Sequence, residues 1–414
     1  MAKLTRNISY LTVSQVAHYL FPLVTIPYIT RIVGPENFGY IELASAVMLY
    51  LIVLVDYSFN ATATRKIAAV TNDYGKVSEI FSAVMGAKVL LLGVATSILL
   101  VISKTVPAFQ AQSTILWLAF PIVIGWILYP NFLLYGVQKL GVVALANFLI
   151  KGLAAALIFT VINKPDDYRW VPFINGISQV GVGGAALLYV LLKIKGVQLI
   201  KVRLRAVAEV IKEGRWIFTS NLFSRIYTLS ALVLGGILLS PLQLGIFAAA
   251  SKLISVGQSF LFQPLHGALF PHLSALRQKD AQLYRQRHRR SLGLLAGITL
   301  VASLGLYFLA PWLVPVLFGQ DYPRAIPLLQ LMAPMLFVGS FAHMHLQQGL
   351  LILQKDRTYL LVVLLTSLWS LLAGYWLITH YGARGAAHTR LTTEILLAVL
   401  ATWFFYKNNK TWRQ

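Results

Sequence analysis

Five basic residues stand inside stretches that otherwise read as long apolar helices: Lys88, Lys151, Arg225, Lys252 and Arg390. A cation placed among lipid tails costs at least about 2.5–3.5 kcal/mol. A chain that keeps five of them, with few acids nearby, is expected to line a wet cationic cavity inside a bilayer, and such a cavity suits an anionic cargo. Arginine offers a phosphate a planar bidentate fork, and lysine offers a compact point charge. Arg31, at the end of the first apolar stretch, is a sixth candidate contact. Asp56 lies deep in the second stretch, and Glu394 follows Arg390 by four residues on the same helix face. These two acids are candidates for pairing with a cavity cation or for coupling transport to a proton or sodium gradient. His18, His266, His343 and His345 also fall within apolar stretches, where polar contacts between helices are their expected role. His343 and His345 are two apart and do not share a helix face, so they make a poor metal site.

The elements that must hold these residues are membrane helices. Hydrophobic residues make up 58% of the 414-residue chain and charged residues 12%, against about 25% charged in soluble domains. At about 20 residues per span, the length leaves room for about twelve helices and little else. They are expected near 8–30, 41–69, 80–103, 115–137, 141–162, 171–193, 216–239, 242–275, 291–310, 325–353, 358–380 and 385–406. The net charge of +22 concentrates in loops on one side, most densely at 193–215 and 277–290. The positive-inside rule then places both termini in the cytoplasm. The charge reads as topology and headgroup contact rather than a nucleic-acid footprint. The polar start, 1–7, runs into an apolar segment too long for a signal-peptide core. The absence of cysteine excludes disulfides, thiolate metal sites and a cysteine nucleophile. No Gly-rich loop ends in Lys-Ser or Lys-Thr, so no nucleotide site is expected. An oligosaccharide polymerase, ligase or glycosyltransferase would need a large outward catalytic loop, and none is long enough here. A cation or drug antiporter would want acids in its cavity, but the intramembrane bases outnumber the deep acids.

The chain repeats a short pattern at an offset of 206 residues: Pro35, Gly39, Ala44 and Ser45 match Pro241, Gly245, Ala250 and Ser251. Half the chain separates the two copies, and an even number of helices preserves orientation. The expected architecture is therefore all-α, with two six-helix lobes related by a pseudo-two-fold axis along the membrane normal. The lobes are expected at 1–195 and 215–414, joined by a basic cytoplasmic linker at 196–214. Transport would proceed by rocking one lobe on the other around a central cationic cavity. Pro22 and Pro27, Pro264 and Pro271, and Pro327 and Pro334 interrupt the first, eighth and tenth spans, where proline removes a backbone donor and bends a helix. Gly176, Gly181, Gly183 and Gly184 give the sixth span a face for close packing.

Two motifs carry a family resemblance: Pro27-Tyr28-Ile29-Thr30-Arg31-Ile32-Val33-Gly34-Pro35-Glu36-Asn37-Phe38-Gly39-Tyr40, and Asp56-Tyr57-Ser58-Phe59-Asn60 with Ala61–Ala68 after it. With Phe247-Ala248-Ala249-Ala250-Ser251-Lys252-Leu253 in the second half, the chain resembles the Wzx-type polysaccharide (O-antigen repeat unit) flippases. These form the polysaccharide transport branch of the multidrug/oligosaccharidyl-lipid/polysaccharide (MOP) exporter superfamily. The resemblance implies a MATE-like two-lobe fold in the bacterial inner membrane and no cofactor. It implies a cargo of undecaprenyl-pyrophosphate-linked oligosaccharide, moved from the cytoplasmic to the periplasmic leaflet and used there by a periplasmic polymerase. In the related peptidoglycan-precursor flippases, basic residues of the first and eighth helices contact the pyrophosphate; Arg31 and Lys252 are the matching positions. Tyr19, Tyr28, Tyr50, Tyr57, Trp126, Tyr129 and Tyr227 are candidate platforms for sugars. Outward movement of an anion runs down the membrane potential, by about 2.3 kcal/mol per charge per 100 mV, so it needs no ATP. The alternative is a cation-coupled drug or small-molecule antiporter of the multidrug branch, which shares the fold.

Overall fold

The computed structural model describes residues 2–139, 141–194 and 196–408, with side chains from residue 21 onward except those of Val142 and Asn408. The side chains of His18 and Tyr19 and the whole of Lys195 lie outside the described residues. The described regular elements are helical, and the chain divides into two compact units, Met1–Leu222 and Phe223–Gln414. Unit 1 holds α1 (Ala2–Asp56), α2 (Phe59–Ala69), α3 (Tyr74–Thr105), α4 (Pro107–Gln110), α5 (Ser113–Ala119), α6 (Pro121–Leu128), α7 (Asn131–Gly136), α8 (Gly141–Val161) and α9 (Trp170–Lys193). The boundary falls inside α10 (Leu204–Leu238). Unit 2 continues with α11 (Pro241–Lys279), α12 (Ala281–Phe318), α13 (Ala325–Met332), α14 (Met335–Ala342), a π-helical segment (His343–Leu350) and α15 (Asp356–Asn408).

Among the described residues, ten helical stretches are long and apolar enough to cross a membrane. Two are double length. A straight helix of 55 residues, as α1 would be, spans about 80 Å, twice a bilayer of about 40–45 Å. Gly34 breaks it with φ 73° and ψ 171°, and Pro35 opens the second span. In α15 the break is Gly382, at φ 58°. There the chain turns back on itself: a Cβ on Gly385 would overlap the Leu377 carbonyl, and Trp369 Nε1 donates to Thr392 Oγ1 at 3.3 Å. Both glycines occupy left-handed φ values that a side chain disfavours. Counted as two spans each, α1 and α15 make the architecture consistent with the twelve spans read from the sequence. The chain is a multi-pass, all-α membrane protein.

The matched prolines of the two half-chains hold the same local role. Pro35 follows the Gly34 break, and Pro241 begins α11 behind the Ser240 cap. Proline suits a first helical position, where its missing N–H is no loss. Two other helix starts are capped by acids. Asp280 accepts from the N–H groups of Gln282 and Leu283 at 2.8 and 2.9 Å, and Asp73 accepts from that of Lys76 at 3.0 Å. The Lys76 backbone N–H holds the Asp73 carboxyl below the usual carboxylate range. That cap is fully formed at neutral pH and is lost as acid protonates it below its ordinary range.

The fourth span of each unit is broken. In unit 1 it is divided into α5, α6 and α7, with non-helical backbone at Tyr129 and Pro130. In unit 2 it is divided into α13, α14 and the π segment, and Pro334 falls at the first division. Glycine brings α6 and α9 together. A Cβ on Gly183 would overlap the Gly125 carbonyl oxygen, one on Gly125 would overlap the backbone of Gln179, and one on Gly176 would come 3.0 Å from Pro121 Cβ. Gly184 faces open space within 4 Å. Gly183→Ala should therefore lower the thermal unfolding midpoint in detergent, at an overpacking cost of about 1–3 kcal/mol. Gly184→Ala should leave the midpoint unchanged or raise it. Equal midpoints for the two variants would contradict this packing.

Candidate functional site

The sequence-selected charges fall into two groups inside the units, with four more on single helices. The first group is built around Lys88. It lies fifteen residues past the Asp73 cap of α3, about 22 Å along the helix, and is fully buried. Its ammonium donates to the carbonyls of Trp126 and Tyr129 at 3.1 and 3.0 Å, and it stands 5.6 Å from the Phe132 ring centre. The local sequence explains the arrangement. The Trp126 carbonyl would normally accept from residue 130, but Pro130 has no N–H. The N–H of Leu133 turns to Pro130 O, so it does not reach Tyr129 O. Lys88 thus caps the exposed C-terminal end of α6, where the helix dipole favours a cation.

Asp56 closes α1 in the same unit. Asn60 Nδ2 donates to its two carboxylate oxygens at 3.2 and 3.3 Å. Directly after Asp56 the chain takes left-handed φ values at Tyr57 (41°) and Ser58 (64°). The first part of α10 braces this break: Phe218 stacks on Tyr57 at 4.2 Å, and Asn221 Nδ2 donates to Ser58 Oγ at 2.9 Å. About two turns further along, Lys66 pairs with Glu213 at 2.6 Å.

The second group is a cavity of about 140 Å³ within unit 2, partly open and lined by Tyr227, Gln258, Phe262, His343, Arg390, Thr393 and Glu394 among others. Arg390, Thr393 and Glu394 share one face of α15 by their i, i+3, i+4 spacing. Arg390 is buried and does not close on Glu394. Its Nη1 reaches across to α11, donating to Ser251 O at 3.4 Å, to Ser251 Oγ and to Ser255 Oγ at 3.5 Å. The Glu394 carboxylate rests against Gly339 of α14, where an added Cβ would lie 2.9 Å from Oε1. Phe262 and His343 stack at 5.2 Å and 15°. His343 Nε2 and Thr393 Oγ1 are buried with no hydrogen-bond partner.

The remaining candidates lie elsewhere on the helices. Arg31 is exposed on α1 just before the Gly34 break, Lys151 is half-buried on α8, Arg225 is exposed on α10, and Lys252 is half-buried on α11. Of the aromatic platforms, Tyr227 lines the unit 2 cavity. Tyr28 is committed to packing, its hydroxyl donating to Phe159 O and Ile162 O at 3.0 and 2.8 Å. Trp126 and Tyr129 meet edge to face at 6.2 Å beside the Lys88 site. Sequence reasoning missed Gln258, Phe262 and Thr393 and gave His343 only a packing role. Thr393 could have been found from its place three residues after Arg390. Gln258 and Phe262 continue the Ser251 and Ser255 face of α11 at helical spacing.

Comparison with known proteins locates this arrangement. The family described as "Polysaccharide biosynthesis protein" matches residues 4–277. The chain is 30% identical over 411 residues to an Escherichia coli (strain K12) protein named "Putative O-antigen transporter", covering 98% of this chain and 97% of the relative. It is 27% identical over 405 residues to a Shigella dysenteriae protein of the same name, covering 95% and 98%. Among solved structures, an inward-facing MATE family multidrug resistance transporter of the MOP superfamily superposes with a TM-score of 0.79 at 13% identity, covering 98% of this chain and 99% of that one. The inward closed conformation of the lipid II flippase MurJ gives 0.74 at 13%, covering 96% and 87%. At these identities the structural likeness is one of fold. It agrees with the MOP-like architecture expected from the sequence, as the curated relatives agree with the Wzx-type motifs. The chain belongs to the polysaccharide biosynthesis protein family.

Proposed function

We propose that this protein is a flippase for lipid-linked oligosaccharide, moving undecaprenyl-pyrophosphate-linked repeat units from the cytoplasmic to the periplasmic leaflet of a bacterial inner membrane by alternating access. It is a transporter and not an enzyme. The observation that carries the reading is the unit 2 cavity. A span-forming region holds a space lined by an arginine, a glutamate, a glutamine and a buried threonine, where a purely structural bundle would be filled with apolar side chains. Polar and ionisable groups at membrane depth mark cargo or ion pathways. The near full-length likeness to proteins named as O-antigen transporters supports a sugar-bearing cargo. Delivery to a periplasmic polymerase and cytoplasmic placement of both termini complete the proposal. The surplus of basic residues in alternate loops supports the orientation.

The pyrophosphate needs positive charge along its path. Arg31, Lys151, Arg225 and Lys252 are proposed to meet it along its path, with Arg225 and Lys252 the principal contacts in unit 2. Asp56 and Glu394 are the proposed acids for coupling to a proton or sodium gradient. Lys88 has a different task, because its ammonium satisfies two carbonyls of a broken helix.

Charge reversal separates these roles. Lys252→Glu and Arg225→Glu should each cut periplasmic delivery of the lipid-linked sugar in cells at least about tenfold, the scale of one charge-assisted hydrogen bond at about 1.5–3 kcal/mol. Both proteins should insert normally. Normal delivery by both would reject the cationic-contact assignment. Lys88→Met, by contrast, leaves two buried carbonyls unpaired, at about 1–3 kcal/mol each. It should lower the thermal unfolding midpoint of the detergent-solubilised protein well below that of the Lys252→Glu protein. Equal midpoints would show that Lys88 does not hold the break in α6 and α7.

A further inference from the structure

We propose that the unit 2 cavity is a subsite for one neutral sugar ring of the cargo and does not hold its pyrophosphate. The inference rests on the flippase reading and assigns the cavity a chemical class of ligand. Arg390 and Glu394 bring opposite formal charges into the same space. A dianionic diphosphate would gain from one and be repelled by the other. Part of the Arg390 fork is also spent, since Nη1 is held by Ser251 and Ser255. A hydroxyl fits this pair better than an anion does. It can donate to the carboxylate and accept from the guanidinium at once.

The rest of the lining matches the two-sided chemistry of a pyranose. A sugar ring has C–H faces and a rim of hydroxyls. Phe262, Tyr227 and Met335 supply apolar surface for the faces, and Gln258, Thr393, Glu394 and Arg390 supply donors and acceptors for the rim. Two of the lining groups await a partner. Thr393 is 2% exposed and His343 8% exposed, and neither Thr393 Oγ1 nor His343 Nε2 has a hydrogen bond within the chain. A buried polar atom left unpaired costs about 1–3 kcal/mol, so a side-chain rotation that turns either atom into the cavity favours an occupant that brings hydroxyl groups. At about 140 Å³ and partly open, the cavity has room for a group of the size of one such ring. This occupant would be read by its hydroxyl pattern, which makes the cavity a determinant of which repeat unit is accepted. A polyprenyl tail would bring no donor or acceptor to these polar groups.

The natural chain has no cysteine, so one introduced thiol reports on the cavity alone. Thr393→Cys, in the full-length protein in liposomes, would be modified with N-ethylmaleimide in the presence of a panel of methyl hexopyranosides or of inorganic pyrophosphate. Asp356→Cys, at the exposed start of α15, is the control thiol. At twice its dissociation constant, a bound glycoside should slow modification of the cavity thiol about threefold by simple occupancy. The control thiol should be unaffected. Glu394→Gln in the Thr393→Cys background should weaken that protection, and pyrophosphate should give none. Protection by pyrophosphate without protection by any glycoside overturns the proposal and makes the cavity an anion site. Protection by no member of either class overturns it as well. Delivery of the lipid-linked sugar in cells, measured on the unmodified natural protein, decides the flippase reading separately. A protein that delivers its cargo while showing no glycoside protection refutes the subsite and leaves the flippase intact.

Discussion

Hydrocarbon offers no hydrogen bond to a stray carbonyl. That constraint confines a membrane-spanning backbone to helices and makes every break in a helix an unpaired group that something else must satisfy. This chain breaks its spans in several places: at Tyr57–Ser58, at Pro130 and in the π segment that follows Pro334. Each break has a local remedy. At Pro130 the remedy is Lys88, whose ammonium replaces the missing amide donor. At Tyr57–Ser58 it is the side chain of Asn221 and the stacked ring of Phe218. In the π segment it is the shift of backbone bonds to longer range, with Leu351 N donating to Leu346 O and Lys355 N to Leu350 O. The polar side chains placed deep in this protein are therefore partly consequences of its broken helices.

Two buried cations illustrate how differently such residues can be used. Lys88 is fully enclosed and its partners are backbone carbonyls of its own unit. Arg390 is also buried, but it lines a cavity and shares it with a carboxylate. Sequence inspection gives both a similar description, a base within an apolar helix. The distinction depends on what lies across from each helix. For Lys88 that is a proline-broken turn forty residues away in the chain, and for Arg390 it is a serine face on α11. A buried charge without partners would be expelled or neutralised, so each keeps its place through a specific set of acceptors.

Much of the fold was legible because hydropathy and helix breakers act locally. The spans expected at 358–380 and 385–406 correspond to the two arms of α15, and Gly382 sits between them as the residue able to turn. The Pro35 and Pro241 match also has a local meaning, since both prolines open helices. Close packing of the sixth span through Gly176 and Gly183 was readable from the spacing of small residues, but its partner Gly125 was not. A lone glycine in the fourth span carries no periodic signal, and only the approach of α9 reveals its role. The site was less legible for the same reason. Arg390 and Glu394 lie four apart and read as an ion pair, yet the serines of α11 draw the guanidinium away. Helical spacing states which residues share a face but not what that face meets.

The cargo proposed for this protein poses two chemical problems that no single pocket solves well. Its pyrophosphate requires an excess of positive charge, and its sugars require donors and acceptors in balance around an apolar face. An excess of cations in the sugar site would bind the wrong end of the cargo, and a carboxylate in the phosphate site would repel the right end. The presence of both Arg390 and Glu394 in one cavity offsets the positive charge where hydroxyls are to be read. The more accessible bases Arg31, Lys151, Arg225 and Lys252 do not line that cavity. Weak contacts of both kinds serve transport better than one tight site, since a cargo held by many modest bonds can be released stepwise. On this division of labour, discrimination among repeat units resides in the neutral cavity, while the basic residues recognise the headgroup that every such cargo shares.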